Sequence, residues 1–505
     1  MTVQASGVNQ SSHYALVRAL DSGTAQIDRW HAETLDKAYY DGHYYSVKAP
    51  GLAALTLPWF AATDAVGLIA RAQEAGDRVR RDSGGSGGSP RAQAIRNQRA
   101  VIWLLGLWSI VLPAFALLVL VRSVAERFAP GYGTAAAVAL GAGTLVLPYA
   151  TMLYAHVPAA ALCFGSFALL LRERPPLFLA GLAGGLAALV EYPVALLVAA
   201  LGVWALVRFG RRAALYAGGV VLGLLPLAAY NLWAFGSVLH MSYDDVVAVE
   251  GRTGHDVIGL NDEGLFGVNV PDPSAAWDLL LAPKGLLVLT PVVAAGVYGL
   301  VRARLWAPLA VVAVAFLYNA GYYLPFGGGV PGPRFLVPML PFVAVGVAVA
   351  LRERTAMTLA LAAASVVAML AATATEPQLP DQETGRWTDL LGDGDLQFTL
   401  AGVAGAGHGW TGILPLLALV GAALVLAART LPRAAAAPPL ALPLALLAAW
   451  ALLALLFGDA PLLVGAGTLA GVAVVVWWGR SATCSARAPS PAPSTASSTT
   501  PTPRS

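Results

Sequence analysis

Between Ile27 and Gly51 the chain gathers four carboxylates, Asp28, Glu33, Asp36 and Asp41, two histidines, His31 and His43, and Lys48. Almost everything after residue 100 is apolar. Carboxylates at the edge of such a chain can accept a proton from an attacking hydroxyl, or hold a divalent cation. The same acids would also keep an exposed loop solvated. The histidines add nitrogen ligands, but no HxH or HExxH spacing is present, so the pattern singles out no metal. No cofactor is assigned, and a divalent cation on these acids stays open.

The segment from Gly42 to Gly51, with His43, Tyr45 and Lys48, stands at the start of an apolar stretch. Lys48 there suits an anionic head group. It would equally serve as a snorkelling lysine beside an aromatic belt of Tyr39, Tyr40, Tyr44 and Tyr45. Further along, His156 and Glu191 lie at the ends of apolar runs, where an ionisable side chain is costly and becomes a functional candidate. The alternative for either is a satisfied hydrogen bond between helices. Arg334 follows a glycine-rich turn, and an arginine fork matches phosphate; a helix-end anchor is the other reading. Lys284 carries the same two readings.

These side chains need a scaffold, and composition describes it. The chain is 57% hydrophobic and 12% charged, with a mean hydropathy of +0.67. An ordinary soluble globule is excluded. The net charge of +3 gives no reason to expect a nucleic-acid partner. Cys163 and Cys484 form no disulfide framework. Apolar runs occur near 100–121, 133–150, 157–171, 177–190, 192–208, 213–233, 283–301, 306–324, 335–351, 356–373, 411–428, 438–457 and 461–478. They lack the alternation of barrel strands, so each is read as a helix. The expectation is an all-α, polytopic integral membrane protein with about 12–13 transmembrane helices, although 177–208 could be one kinked segment. Residues 50–70, with Pro50, Pro58 and Asp64, make a poor span and are expected to form an external juxtamembrane helix.

Arginine placement predicts sidedness. Short basic connections at Arg122/Arg127, Arg172/Arg174, Arg208/Arg211/Arg212, Arg302/Arg304, Arg352/Arg354, Arg429/Arg433 and Arg480 all fall on one face, which should be cytoplasmic. The other face then receives loops 235–283, 322–334 and 374–410, a shorter one at 149–158, and the acidic segment. Residues 71–99 carry seven arginines against three acids and run against this pattern. The resulting division is an external acidic loop over 1–49, a juxtamembrane helix with a flexible Arg/Gly/Ser loop over 50–99, a helical domain over 100–480, and a disordered cytoplasmic tail over 481–505.

The string Asn9-Gln-Ser-Ser-His-Tyr-Ala-Leu-Val-Arg-Ala-Leu20, then Ile27-Asp28, Asp36, Gly42-His-Tyr-Tyr-Ser and Lys48-Ala-Pro-Gly51, resembles the first external loop of GT-C membrane glycosyltransferases. The likeness is to the bacterial branch related to protein O-mannosyltransferases and the lipid A aminoarabinose transferase. Tyr230-Asn-Leu-Trp-Ala-Phe-Gly236, Leu281-Ala-Pro-Lys-Gly-Leu-Leu-Val-Leu-Thr-Pro291 and Gly332-Pro-Arg-Phe-Leu-Val-Pro-Met-Leu-Pro341 resemble later segments. The resemblance covers roughly residues 9–350. It implies an inverting transferase in a bacterial plasma membrane that takes sugar from a polyprenyl-phosphate donor on the outer face. The acceptor would be a glycan, a lipid or a protein. An acidic residue of the first loop is the usual base, and the segment at Lys48-Ala-Pro50 begins a surface helix.

Two departures follow. The family has a membrane span before this loop, so a first helix would be missing here. The place of its acidic pair falls on Asn9-Gln10, which moves the catalytic base to Asp28 or Asp36. Asp41, His43, Tyr45, Lys48, His156, Lys284 and Arg334 are the expected substrate-binding residues. A lipid-linked oligosaccharide polymerase or ligase, leaning on arginine and histidine, is the first alternative. A transporter is the second, although transporters place ionisable groups near the midplane and often carry inverted repeats.

Overall fold

The computed structural model describes residues 2–4, 6–82, 98–246, 267–379, 384–403 and 409–432. The glycine/serine insert, the runs 438–457 and 461–478 and the tail lie outside the described residues, as do parts of loops 235–283 and 374–410.

The described chain is helical with two short antiparallel strand pairs. β1 (Thr2–Val3) is followed by α1 (Val8–Asp21), the hairpin β2 (Lys37–Tyr40) and β3 (His43–Ser46), and α2 (Pro50–Ala65) and α3 (Leu68–Asp82). Then come α4 (Arg99–Phe128), which contains a π turn, α5 (Gly133–Gly143), α6 (His156–Leu170), α7 (Leu177–Val190), α8 (Val194–Phe209) and α9 (Ala213–Phe235). The remainder is α10 (Pro273–Leu281), α11 (Val292–Arg302), α12 (Trp306–Ala320), α13 (Leu340–Glu353), α14 (Thr355–Ala374), α15 (Gly385–Asp393), β4 (Phe398–Thr399) and α16 (Trp410–Thr430).

The apolar runs become helices because hydrocarbon leaves backbone groups no partners except one another. Among the described residues five helices are long and apolar enough to cross a membrane: Arg99–Phe128, Val194–Phe235, Arg334–Glu353, Thr355–Ala374 and Trp410–Thr430. Two bent pairs raise the number to seven. Four shorter apolar helices, α5, α6, α7 and α12, pack among them. The chain is a multi-pass membrane protein.

Three boundaries refine the sequence reading. Residues 177–208 are two helices, broken where Glu191 turns to extended backbone (φ −150°, ψ 112°). The run Val194–Phe235 is interrupted at Gly210, whose φ of +57° closes α8. Residues 50–75 bend by 89° between α2 and α3, as a broken span or a re-entrant segment does and a straight span does not.

Small residues set the closest helix approach. A β-carbon on Gly219 of α9 would lie 2.1 Å from the Phe178 carbonyl of α7, and one on Gly181 of α7 would lie 1.9 Å from the Tyr216 carbonyl of α9. Glycines spaced by four, at 181/185 and 219/223, bring two backbones together where lipid supplies no hydrophobic drive. Gly219→Val is therefore expected to push α7 from α9 at a cost of about 1–3 kcal/mol or more. A lowered unfolding midpoint in detergent, with Gly218→Val as the control whose β-carbon meets open space, checks this.

Candidate active site

The polar N-terminal region folds as a cap on one end of the helices. The hairpin reverses at Asp41-Gly42, with φ of +47° and +86° as a two-residue I′ turn requires. Tyrosines at 39, 40, 44 and 45 give its strands their β preference. Tyr45 is buried against the Phe235 ring, 4.8 Å between centroids, and Tyr40 meets the same ring at 5.7 Å.

A chain of hydroxyls fixes the hairpin to α1. Ser12 Oγ donates to the Asp36 carbonyl at 2.6 Å and lies 2.8 Å from Ser46 Oγ. Ser46 Oγ accepts from the Lys48 amide at 3.2 Å, and Thr34 Oγ1 accepts from the Asp36 amide at 3.0 Å while donating to the Val8 carbonyl at 2.7 Å. The backbones of residues 36 and 48 are thus both tied to α1, through Ser12. Their side chains meet: Lys48 Nζ lies 2.5 Å from Asp36 Oδ2, both about nine-tenths buried.

Gly51 sets the depth of this pair. A β-carbon there would stand 2.6 Å from the Leu189 carbonyl, so only glycine lets the start of α2 press against the end of α7. That contact carries Lys48 to Glu191. Glu191 Oε1 bonds His156 Nδ1 at 2.5 Å, with both residues buried. From the far side, Arg334 packs its guanidinium over Gly327 (φ +82°), where a β-carbon would lie 2.2 Å from Arg334 Nε. Arg334 is within electrostatic reach of both Asp36 and Lys48.

Lys48, Glu191, His156 and Arg334 border a cavity of about 540 Å³; Asp36 is not part of its lining and stands behind Lys48. Lys48, Arg334, His13, His156 and Glu191 line its polar side, with Tyr154, Tyr243, Tyr318 and Tyr322 around them. Leu196, Leu224 and Leu227 of α8 and α9 form an apolar wall. Loops 149–158, 235–283 and 322–334 meet at this cavity. Loop 374–410 joins the same end, where Thr2 and Val3 pair with Thr399 and Phe398.

Several buried polar atoms here have no partner among the described residues: His13 Nδ1, His156 Nε2, Glu191 Oε2 and Arg334 Nε. Leaving such atoms unmatched costs free energy, and a polar ligand would satisfy them. Burial pushes His13 down to about 3, with Lys48 adding to the shift, so its ring stays neutral. Burial also lowers Lys48, but the Asp36 carboxylate opposes that and favours the ammonium. Burial raises Tyr154 to about 12, which keeps its phenol a hydrogen-bond donor.

Not every expected residue reaches the cavity. Asp28 accepts from the Tyr44 amide and lies 2.7 Å from His43 Nδ1, and both side chains are roughly half exposed. Asp41 occupies the exposed hairpin turn. Lys284 is buried and donates to the Leu379 carbonyl at 2.5 Å, bracing loop 374–410. Glu33 binds Arg18 and Gln98. His13 and Asn9 line the cavity although neither is among the residues expected at the site. The one signal was polarity: α1 buries Asn9, Gln10, Ser11, Ser12 and His13 in succession. No group of three His, Cys, Asp or Glu side chains comes together as a metal site among the described residues.

No protein-family model and no curated protein matches the chain. Two solved structures are similar to it in fold. ArnT from Cupriavidus metallidurans in the apo state gives a TM-score of 0.44 at 15% identity, over 95% of this chain and 74% of that one. The same protein bound to undecaprenyl phosphate gives 0.45 at 14%, with the same coverage.

Two outcomes follow from this geometry. Lys48→Met strands the Asp36 carboxylate and should cost about 3–5 kcal/mol, much of it recovered in the Lys48→Met/Asp36→Asn double variant; a double-mutant cycle by chemical unfolding measures this. His13 gives a pH signature. Its folded value lies below the ordinary histidine value of 6.5, so the unfolded chain binds the extra proton. The contribution is complete above pH 6.5 and is lost as pH falls toward 3. Between pH 7.5 and 5, wild type should lose about 2 kcal/mol more than His13→Gln, read from unfolding midpoints.

Proposed function

We propose that the protein is a membrane glycosyltransferase that moves a sugar from a polyprenyl-phosphate donor to an acceptor hydroxyl at the outer face of a bacterial plasma membrane. The observation that carries the reading is one cavity with a buried lysine and an arginine on one side and leucines of apolar helices on the other. A phosphate on an isoprenoid tail has the same two-sided chemistry. The resemblance of the N-terminal loop to GT-C transferases supports the same substrate class.

In the reaction, the acceptor oxygen bonds to the anomeric carbon as the bond from that carbon to the phosphate oxygen breaks. The electron pair of that bond leaves with the lipid phosphate, and inversion follows from attack on the opposite face. Lys48 and Arg334 meet the growing negative charge with fixed charges in a site of low dielectric, where such interactions weigh most. Asp36 is the carboxylate assigned to take the hydroxyl proton, because it sits beside Lys48. Lys48 then has two roles: it orients Asp36 and faces the phosphate. Asp28 and His43, clasped on the hairpin, are assigned in this reading to the acceptor side, with Asp41 and Tyr45. Lys284 braces loop 374–410 at the same end of the helices. The long loops share one end of the helices, which agrees with an external site and a cytoplasmic tail under the positive-inside rule.

A second reading has one observation in its favour. His156, oriented by Glu191 and carrying an unmatched Nε2, together with Arg334 suits a lipid-linked oligosaccharide polymerase or ligase.

Transfer from a radiolabelled polyprenyl-phosphate sugar in proteoliposomes tests both. Asp36→Asn should lower the rate by about 10²–10⁴, and Arg334→Met by about 10²–10³, with the fold intact by unfolding midpoint. Asp28→Asn should cost less. Full activity in both aspartate variants, with activity lost in His156→Gln, would move the assignment to the polymerase or ligase.

A further inference from the structure

A second cavity of about 670 Å³ runs between α4 and α6, separate from the site above. The two helices end together. Arg127 near the end of α4 donates to the Leu171 carbonyl just past α6 at 3.1 Å, and Arg172 is the next residue. Both arginines are exposed and line the mouth of the groove. His156 begins α6 at the first cavity, so Arg172 stands a helix length away, about 22 Å at 1.5 Å per residue.

Small side chains cut the floor of the groove: Ala116 on α4, and Ala161, Gly165 and Ala168 on α6. Gly165 faces the wide part, for a β-carbon there would meet only Leu120, at 3.8 Å. On α4 the lining runs from Trp108 to Arg127, about 28 Å of helix, and the part from Arg127 to Ala116 takes about 17 Å of it, close to half of a hydrocarbon core of about 30 Å. That is the depth of one leaflet's acyl chains.

Charge selects the occupant. Arg127 and Arg172 line the mouth; of their sequence neighbours Arg122, Arg174, Glu126 and Glu173, Arg122 donates to Thr134 Oγ1 at 3.1 Å. Glu126 is already engaged, accepting from the Gly131 and Gly133 amides at 2.6 and 3.0 Å. The negative poles of two helix C-termini also point here, and the guanidinium charges outweigh these partial charges. We propose that this groove holds an anionic phospholipid of the leaflet on the arginine side, with its phosphate on Arg127 and Arg172 and an acyl chain over Gly165. The site does not depend on the transfer reaction.

The test uses full-length protein stripped of lipid in detergent and titrated with phosphatidylglycerol or phosphatidylcholine, with bound lipid counted by native mass spectrometry. Wild type should retain phosphatidylglycerol in preference to phosphatidylcholine. Arg127→Gln/Arg172→Gln should bind phosphatidylglycerol at least about tenfold more weakly. Gly165→Leu fills the floor without touching the head-group end and should lose binding of both lipids at this site. Arg429→Ala, an exposed arginine on α16, should bind as wild type does. Equal phosphatidylglycerol binding in wild type, the double arginine variant and Gly165→Leu would overturn the proposal. So would a dimer that Gly165→Leu dissociates, because a second copy would then be the occupant.

Discussion

The buried pair of Lys48 and Asp36 is the constraint around which the polar end of this protein is built. Two opposite charges removed from water require close geometry and satisfied neighbours, or the desolvation cost exceeds their attraction. Ser12, Ser46 and Thr34 meet that need by holding both backbones on α1. Gly51 then allows the pair to lie against α7. Without that approach Lys48 would stay at the surface, and the cavity would lose one of its two cations.

The rest of the site is assembled from distant parts of the chain around this pair. His156 and Glu191 lie at the adjoining ends of α6 and α7, and Arg334 arrives from the turn before α13. Glycines at helix contacts make this convergence possible, because they let backbones meet without side chains between them. Van der Waals contact along α7 and α9 fixes where the polar ends come to rest. The apolar wall of Leu196, Leu224 and Leu227 is therefore a product of the same packing that positions the charges.

Much of the helical architecture is legible without coordinates. Apolar runs after residue 100 can satisfy their backbone only as helices, and most do so where residues are described, although 133–150 breaks after Gly143 and 283–301 bends by 92° between Leu289 and Val292. Prolines and Asp64 mark 50–70 as something other than a straight span, while the 89° bend itself falls past both prolines, at Val66-Gly67, where Gly67 takes a φ of +72°. The hairpin turn at Asp41-Gly42 follows from local chemistry. Span number is less legible, since helices such as α5 and α7 are too short to cross alone and reach their depth only by packing.

Residue types alone marked Asp36, Lys48, His156, Glu191 and Arg334 as unusual in so apolar a chain, because each is costly to bury. They could not separate Asp36 from Asp28, or Lys48 from Lys284, since each pair has the same chemistry. Tertiary structure made those distinctions through partners: Asp36 turns inward to Lys48 while Asp28 clasps His43, and Lys284 is committed to a carbonyl of another loop. The sequence by itself determined that charges would gather at the ends of membrane helices; only packing across hundreds of residues decided which of them share one cavity, because direction and distance depend on contacts that no local pattern encodes.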